Sequence, residues 1–369
     1  MRVLSTERVA QKITPGRIRW FEKELLEVRG PQPIAVVRKR KLGTAPVAPV
    51  ILVHGFGQNR YAWHIPERSM VNYLADLGFD VFNVDLRGHG RSTDLGAARS
   101  RGVDCYIRED LPAVIERVLA LSGAPRTFMV GHSLGGLCAA AAGALGPDRV
   151  AGVVTMGPPH ALGRGHFVLG HALRLAGRTI GRSQVLRGSQ RRLPVDLIGK
   201  AVHATRLAWD SRLAPIPVRG WKPGAFTADE LRSYMRSFDG ASFGTLDELF
   251  LLAATGELRS RIDGTSYTKL IEDSVVPLLA VSGAVDRLAN PGSVKPLFER
   301  SRSMDKRYIK VDAGHGDLLV GKQAPDHVWP VVGEWLLSRI HHVTDARDAL
   351  PKVRSLSRKP SLSPVRIAG

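Results

Sequence analysis

A serine in a glycine-rich turn is the strongest chemical signal in this sequence. Residues 131–135 read Gly-His-Ser-Leu-Gly, follow an apolar segment that predicts a strand, and precede a small-residue segment that predicts a helix. A sharp turn between strand and helix would hold Ser133 in a strained backbone conformation and leave its hydroxyl clear of the sheet. Glycines on both sides would let the backbone fold that tightly. We therefore interpret Ser133 as a nucleophile.

A serine at its ordinary pKa is a poor nucleophile, so it needs a general base and a group that orients the base. Chain order after such a serine predicts an acid behind a later strand and a histidine last. Asp286 follows an apolar segment, and His315 lies between two glycines after the last predicted strand. Asp312 and Asp317 are rival acids, but both lie too near His315 in the chain to orient it easily from across the sheet. The sequence thus predicts a catalytic set of Ser133, His315 and Asp286.

Acyl transfer also needs hydrogen-bond donors for the charge that develops on the carbonyl oxygen. Residues 54–58, His-Gly-Phe-Gly-Gln, follow a short apolar segment, and their glycines would allow close approach to a substrate. We predict that the backbone N–H groups of Phe56 and Leu134 form this oxyanion hole. The chemistry needs no cofactor, and His341 and His342 have no partner at metal-ligand spacing, so we expect no metal.

These residues fall at the ends of segments in an alternating pattern of strands and helices. Eight segments are predicted strands: Phe21–Arg29, Ile34–Lys41, Pro49–His54, Asp80–Asp85, Phe128–Val130, Val150–Met156, Pro277–Ser282 and Arg307–Asp312. Four segments between or after them are predicted helices: Ile65–Leu77, Leu111–Leu119, Leu134–Ala144 and Asp326–Ile340. The first two strands read as an antiparallel pair. The alternation of the others indicates an α/β fold, a mostly parallel sheet with helices on both faces.

The alternation stops in the middle of the chain, which predicts an insertion. We divide the chain into a core domain (1–158 and 271–345), an inserted, mainly helical lid (159–270) and a basic, disordered tail (346–369). The lid holds apolar residues that could line an acyl pocket, although they could equally pack the lid onto the core: Phe226, Tyr234, Met235, Phe238, Phe243, Leu249, Phe250 and Leu251.

The charge balance is strongly basic. Lys and Arg total 53 against 34 acidic residues, a formal net charge of +19. Most of the excess falls in three stretches, 38–41, 162–192 and 351–369. Such a surface could be solvated, or it could meet an anionic membrane through the basic lid and tail. No zinc-finger spacing or RNA-binding aromatic motif accompanies it, so the sequence disfavours a nucleic-acid partner.

Composition also bears on the cellular compartment. No apolar run approaches the roughly 18–20 residues that a membrane span requires, and residues 1–12 lack the apolar centre of a secretory signal. The two cysteines, Cys105 and Cys138, fit a reducing cytosol. We expect a cytoplasmic protein, peripheral at the membrane if its basic surface binds lipid. The sequence does not indicate an oligomeric state.

Taken together, the motifs resemble those of the α/β-hydrolase superfamily. The resemblance rests on His54-Gly55-Phe56-Gly57, Asp85-Leu86-Arg87-Gly88-His89-Gly90-Arg91-Ser92, Gly131-His132-Ser133-Leu134-Gly135-Gly136, Asp286 and Gly314-His315-Gly316. It covers about residues 21–160 and 270–342. It implies an eight-stranded, mostly parallel sheet, a Ser–Asp–His triad and a lid inserted after the sixth strand.

The lid layout is similar to that of bacterial lipases and of polyhydroxyalkanoate-synthase-like hydrolases. Those synthases use cysteine where this chain has Ser133, which disfavours polymer synthesis. Haloalkane dehalogenases and epoxide hydrolases of the superfamily use an aspartate nucleophile, so Ser133 argues against both activities.

The expected function is a serine hydrolase that cleaves a small-molecule carboxylic ester, with an apolar acyl chain, through an acyl-enzyme intermediate. Two alternatives stay open. One is an acyltransferase that uses the same triad with an alcohol or thiol acceptor. The other is a non-catalytic binding protein on the same fold. The acyl length, the alcohol and the pathway do not follow from the sequence.

Overall fold

Apolar strands form a mixed sheet through the centre of the molecule. The computed structural model describes residues 1–165, 167–179, 186–211, 216 and 219–344. The strands found in those residues are β1 Arg2–Thr14, β2 Arg17–Arg29, β3 Pro33–Lys41, β4 Pro49–Val53, β5 Asp80–Asp85, β6 Thr127–His132, β7 Val150–Met156, β8 Arg192–Leu193, β9 Ala241–Ser242, β10 Leu278–Gly283 and β11 Lys306–Val311. Nine of these described strands form one sheet in the order β1-β2-β3-β5-β4-β6-β7-β10-β11, and β8 pairs with β9 alone.

The direction of pairing changes across the sheet. β1, β2, β3 and β5 pair antiparallel to one another in turn. From β5 through β4, β6, β7 and β10 to β11 every pairing is parallel. Every residue of β4, β5, β6 and β7 is buried, as expected of parallel strands covered on both faces.

Helices cover the sheet on both faces. The described α-helices are α1 Met70–Asp76, α2 Gly90–Asp94, α3 Leu111–Ser122, α4 Leu134–Leu145, α5 Phe167–Thr179, α6 Val195–Ala204, α7 Arg206–Asp210, α8 Ala228–Met235, α9 Phe243–Thr255, α10 Tyr267–Glu272, α11 Pro291–Arg300, α12 Asp317–Val320, α13 Ala324–His327, α14 Trp329–Leu337 and α15 His341–Thr344. Successive residues of β4 enter different cores, since Val50 and Leu52 join one apolar cluster while Ile51 and Val53 join the other. None of the helices in the described residues is both long and apolar enough to cross a membrane.

The predicted α/β fold class is confirmed, but the expected count of eight strands is wrong by one. The additional strand is β1, at the edge of the sheet, where most side chains are exposed on both faces. An exposed edge strand needs no alternation of apolar and polar residues, so the sequence pattern that reveals buried strands is missing.

Two predicted helices also differ from the observed ones. The helix expected over Ile65–Leu77 begins at Met70, where the Ser69 side chain accepts a hydrogen bond from the Asn72 N–H and caps the helix. The helix expected over Asp326–Ile340 is divided into α13 and α14, because a proline stands in the first turn of α14 and cannot continue a preceding helix.

The segment between β7 and β10 holds the helices α5 to α10. This is the region in which the lid is predicted, and the boundaries 159 and 270 remain a prediction. The predicted tail, 346–369, lies outside the described residues.

Candidate active site

Ser133 occupies the turn between β6 and α4. Its φ of 52° makes it the one non-glycine residue of the described chain with a positive φ. The Ser133 N–H donates to the Met156 carbonyl 2.9 Å away, which ties the turn to the neighbouring strand β7. The strained serine expected from the glycine-flanked motif is therefore present, and its surroundings hold it in place.

The glycines around Ser133 are required by close contacts between backbones. A Cβ atom on Gly131 would lie 2.4 Å from the Gly135 carbonyl oxygen, and one on Gly135 would lie 2.1 Å from the His54 carbonyl oxygen. Real Cβ atoms essentially never come so near to backbone atoms, so α4 can approach β4 only with glycine at position 135.

We predict that Gly135→Ala destabilises the protein by about 3 kcal/mol, because the added methyl overlaps a backbone carbonyl that cannot rotate away. Urea unfolding measures the loss. Gly146→Ala, at the end of the same helix, is the control, since its Cβ would have no neighbour nearer than 3.9 Å. Equal stability of the two variants would contradict the packing described here.

His315 and Asp286 meet at the ends of adjacent strands. Asp286 follows β10 and His315 follows β11, and the His315 Nδ1 lies 2.7 Å from the Asp286 Oδ2. The other carboxylate oxygen, Oδ1, accepts hydrogen bonds of 2.8 Å from the N–H groups of Leu288 and Ala289. Both aspartate oxygens are thus held, and the carboxylate is buried.

The rival acids have other partners. Asp312 is exposed and pairs with the Lys222 ammonium. Asp317 is buried, accepts a 3.3 Å hydrogen bond from the Lys222 N–H, and burial raises its pKa to about 6. Within the described residues, His315 has a hydrogen bond to the Asp286 side chain and none to either rival.

Ser133 and His315 line the same cavity, which has a volume of about 310 Å³. The remaining walls are mostly apolar and come both from the segment between β7 and β10 and from the parts of the chain before and after it: Phe56, Gln58, His132, Leu134, Pro159, Leu162, Leu173, Gly220, Trp221, Tyr234, Phe238, Leu246, Leu249, Phe250, Leu288, Ala289 and Gly316. Such a cavity suits an apolar ligand that presents its one reactive group to Ser133.

Only half of the residues that the sequence offers for an acyl pocket line the cavity. Four of them line the cavity: Tyr234, Phe238, Leu249 and Phe250. The other four, Phe226, Met235, Phe243 and Leu251, do not line it. Sequence reasoning missed Leu246, although it lies three and four positions before two of the lining residues on α9 and so shares their helix face. Trp221 gave no such signal, because it lies in an irregular segment.

The two predicted oxyanion donors also lie at this cavity. Phe56 and Leu134 line it, and neither backbone N–H has a protein acceptor within the described part of the chain. The Phe56 loop is supported by Gln58, whose Oε1 accepts a 3.1 Å hydrogen bond from the Gly55 N–H and whose Nε2 donates to the Tyr234 hydroxyl at 3.2 Å. Gln58 is a site residue that sequence reasoning missed, because its partner is 176 positions away.

The loop and the inserted segment are also joined by their backbones. The Asn59 N–H donates to the Ser237 carbonyl, and the Asp239 N–H donates to the Gly57 carbonyl, each at 2.8 Å. A change in the inserted segment would therefore move the loop that carries the Phe56 N–H.

Two further histidines near Ser133 are buried and neutral. Burial lowers the pKa of His132 and of His54. The His132 ring contacts the Gln58 side chain and the His315 carbonyl, while the His54 Nε2 accepts from the Leu86 N–H at 3.1 Å. Both rings have partners that support the loops, and of these three histidines it is His315 that contacts a carboxylate.

Comparison with known proteins agrees with this fold. A family model described as the alpha/beta hydrolase fold matches residues 48–322. The chain is 38% identical over 116 residues to epoxide hydrolase B of Mycobacterium tuberculosis, a match that spans 31% of this chain and only 30% of that protein. It is 25% identical over 332 residues to human lipase member M, spanning 80% of this chain and 76% of that protein.

Among solved structures, the monoacylglycerol lipase of Paleococcus ferrophilus superposes with a TM-score of 0.54 and 20% identity, covering 83% of this chain and 99% of that one. A likeness at this identity concerns the fold alone. The family model covers most of the chain, including the Ser133 turn, Asp286 and His315. The chain belongs to the α/β-hydrolase fold family.

Proposed function

We propose that this protein is a serine hydrolase that cleaves carboxylic esters with an apolar acyl chain. The observation that supports this most is the held pair of His315 and Asp286 beside a cavity that Ser133 also lines. A buried carboxylate bonded to one ring nitrogen keeps the proton on that nitrogen and leaves the other free to accept the proton of a serine hydroxyl.

In the proposed reaction the Ser133 Oγ attacks the ester carbonyl while His315 takes the hydroxyl proton. The carbonyl electrons move onto oxygen, where the N–H groups of Phe56 and Leu134 would donate hydrogen bonds to the negative charge. His315 then gives its proton to the leaving alcohol as the C–O bond breaks. Asp286 stabilises the imidazolium that forms between these two steps.

A second half-reaction releases the acid. Water enters, His315 removes one of its protons, and the resulting hydroxide attacks the Ser133 acyl ester. The second tetrahedral intermediate breaks down to the free acid, and the proton returns to the Ser133 oxygen.

The names of the relatives agree with ester substrates. Lipase member M is named for the hydrolysis of lipid esters. Epoxide hydrolase B matches a short segment only, and Ser133 stands at the position where the epoxide hydrolases of this superfamily have an aspartate. The cavity walls contributed by Leu162, Leu246 and Leu249 favour an acyl chain over a charged acid.

A panel of aryl esters tests this proposal directly. We expect kcat/KM to rise from the acetate to medium-chain esters, by roughly tenfold for every two buried methylenes, until the chain fills the cavity. An active-serine fluorophosphonate should label the native protein on Ser133. Failure of both measurements on folded protein would favour the non-catalytic alternative, and a product that appears only with an added alcohol would favour the acyltransferase.

We further propose that the outer face of the inserted segment meets an anionic membrane surface. Several apolar side chains there are exposed, among them Leu207 at 80% and Leu175 at 64% exposure. Exposed basic residues lie near them in sequence, including Arg178 and Lys200. Apolar side chains among cations are typical of segments that lie on an anionic bilayer.

Sedimentation with anionic vesicles measures this binding. We expect the wild type to bind at low salt and to be released by about 0.5 M NaCl, because the ionic attraction is screened. Leu207→Ser should weaken binding several-fold. Met304→Ser, which alters an even more exposed apolar residue before β11, is the control. Binding that is absent, or that salt does not affect, would contradict the proposal.

A further inference from the structure

Strand β3 carries one buried cation, Lys39, that has no acidic partner among the residues that the structure describes. Residues 38–41 read Arg-Lys-Arg-Lys. Three of them pair with acids: Arg38 with Asp80 and Glu24, Arg40 with Glu22, and Lys41 with Asp76. Lys39 is only 4% exposed, and its ammonium donates instead to two neutral amides, the Gln11 Oε1 at 2.6 Å and the Asn72 Oδ1 at 2.7 Å. A buried charge without a counter-charge is costly.

The strand register makes this cost larger. Lys39 stands directly opposite Lys23 in the β2–β3 pair, and Lys23 stands directly opposite Glu7 in the β1–β2 pair. The carboxylate of Glu7 lies 3.3 Å from the Lys23 ammonium, so it is already engaged. This row across three strands therefore holds two cations and one anion, and like charges opposite one another destabilise a sheet.

A cleft of about 280 Å³ opens at this row, on the face of the sheet that carries Lys39. Its polar and charged lining residues are Ser5, Glu7, Gln11, Lys23, Lys39, Arg60, Tyr61, His64, Asn83 and Arg91. The His64 Nδ1 is buried and has no hydrogen-bond partner within the described residues. The pKa of His64 is lowered to about 3, first by burial and then by the charges of Lys39, Lys23 and Arg60. The ring is neutral and can donate from Nδ1.

We propose that this cleft binds a small oxyanion, a phosphate or a carboxylate, which supplies the negative charge that Lys39 lacks. Lys39 and Lys23 would contact the anion as point charges, and His64 would donate from its orphaned Nδ1. Arg60 is already paired with Asp85, so it would add to the positive electrostatic potential of the cleft and would not contact the anion directly. The site is separate from the Ser133 cavity and does not depend on the hydrolase proposal.

The affinity of this cleft for an oxyanion should depend on pH through the protonation of Lys39. Burial, and then the charge of Lys23, lower the pKa of Lys39 to about 7. The charged or titratable groups that line the cleft with it are Glu7, Lys23, Arg60, Tyr61, His64 and Arg91. Since the anion binds the protonated amine, affinity should fall as the pH rises above 7 and deprotonates Lys39. Acetate does not titrate between pH 6.5 and 8.5, so any pH dependence of its binding would come from the protein and not from the ligand.

Isothermal titration of the full chain with sodium phosphate, sodium acetate and sodium chloride at matched ionic strength tests the proposal. We expect one phosphate or acetate per chain at pH 6.5, no chloride heat, and acetate affinity at least threefold weaker at pH 8.5. Lys39→Met should lose at least tenfold in oxyanion affinity. Lys310→Met, which removes an exposed lysine at the far edge of the sheet, should bind as the wild type does.

Gln11→Glu gives a test that does not depend on the folding of the Lys39 variant. The new carboxylate would stand where the Gln11 amide oxygen already meets Lys39, so we expect a higher thermal midpoint and no oxyanion binding. If phosphate acted only by non-specific stabilisation of the folded protein, its effect would persist in both Lys39→Met and Gln11→Glu. No wild-type binding up to about 20 mM at pH 6.5, or undiminished binding by folded Lys39→Met, would overturn the proposal.

Discussion

Ser133→Ala is expected to lower kcat for an aryl ester by at least 10³-fold while the protein stays folded. The hydroxyl is the atom that would form the acyl-enzyme, and without it only binding and the N–H donors of Phe56 and Leu134 remain to accelerate attack by water. The alanine Cβ occupies the position of the serine Cβ, and the Ser133 backbone bond to Met156 is kept. The thermal midpoint should therefore move by no more than about 2 °C.

Initial rates on the best ester of the panel measure this loss, and fluorophosphonate labelling should disappear in parallel. Ser338→Ala is the control, because Ser338 is exposed and its hydroxyl donates to the nearby Trp335 carbonyl. Full esterase activity in Ser133→Ala would show that another group attacks the substrate.

Asp286→Asn is expected to lower kcat by about 10³- to 10⁴-fold, and the reason lies in how the carboxylate is held. The Oδ1 of Asp286 accepts from two backbone N–H groups, of Leu288 and Ala289. In the variant the amide oxygen should keep that position, since an NH₂ group there would face two donors. The NH₂ then points at the His315 Nδ1, which must accept, so the ring proton moves to Nε2. In that tautomer His315 cannot take the serine proton.

Comparison with the same substitution at Asp317 and Asp312 separates Asp286 from its rivals. Asp317→Asn should keep kcat within about tenfold of the wild type, and Asp312→Asn should be unchanged, because neither side chain bonds to His315. Rates at saturating ester across pH 6–9 measure all three variants. A larger loss in Asp317→Asn than in Asp286→Asn would assign the orienting acid to Asp317.

Much of the site could be predicted from local sequence. The Ser133 turn depends on glycines two positions away, and the His315 loop on glycines next to it, so their signals lie within a few residues. The parallel strands were equally visible, since burial on both faces requires continuous apolar runs. Chain order then placed Asp286 ahead of His315, and the structure joins these two at 2.7 Å.

Other features could not be predicted, because their causes lie far away in the chain. Exposure removes the apolar pattern from the edge strand β1, so it has no signal. The role of Gln58 follows from a hydrogen bond to Tyr234. The four basic residues of β3 look like a solvated stretch in sequence, yet three pair with acids on other elements. Lys39 is buried and has no acidic partner in the described part of the chain.

What the sequence alone determined is the α/β class and the candidate groups for the chemistry, because chain neighbours specify a turn and a buried strand. The tertiary structure alone decided which acid reaches the histidine, which apolar side chains line the cavity and which lysine lacks a counter-charge. Those outcomes depend on distances between residues tens to hundreds of positions apart, and only the packed sheet sets such distances.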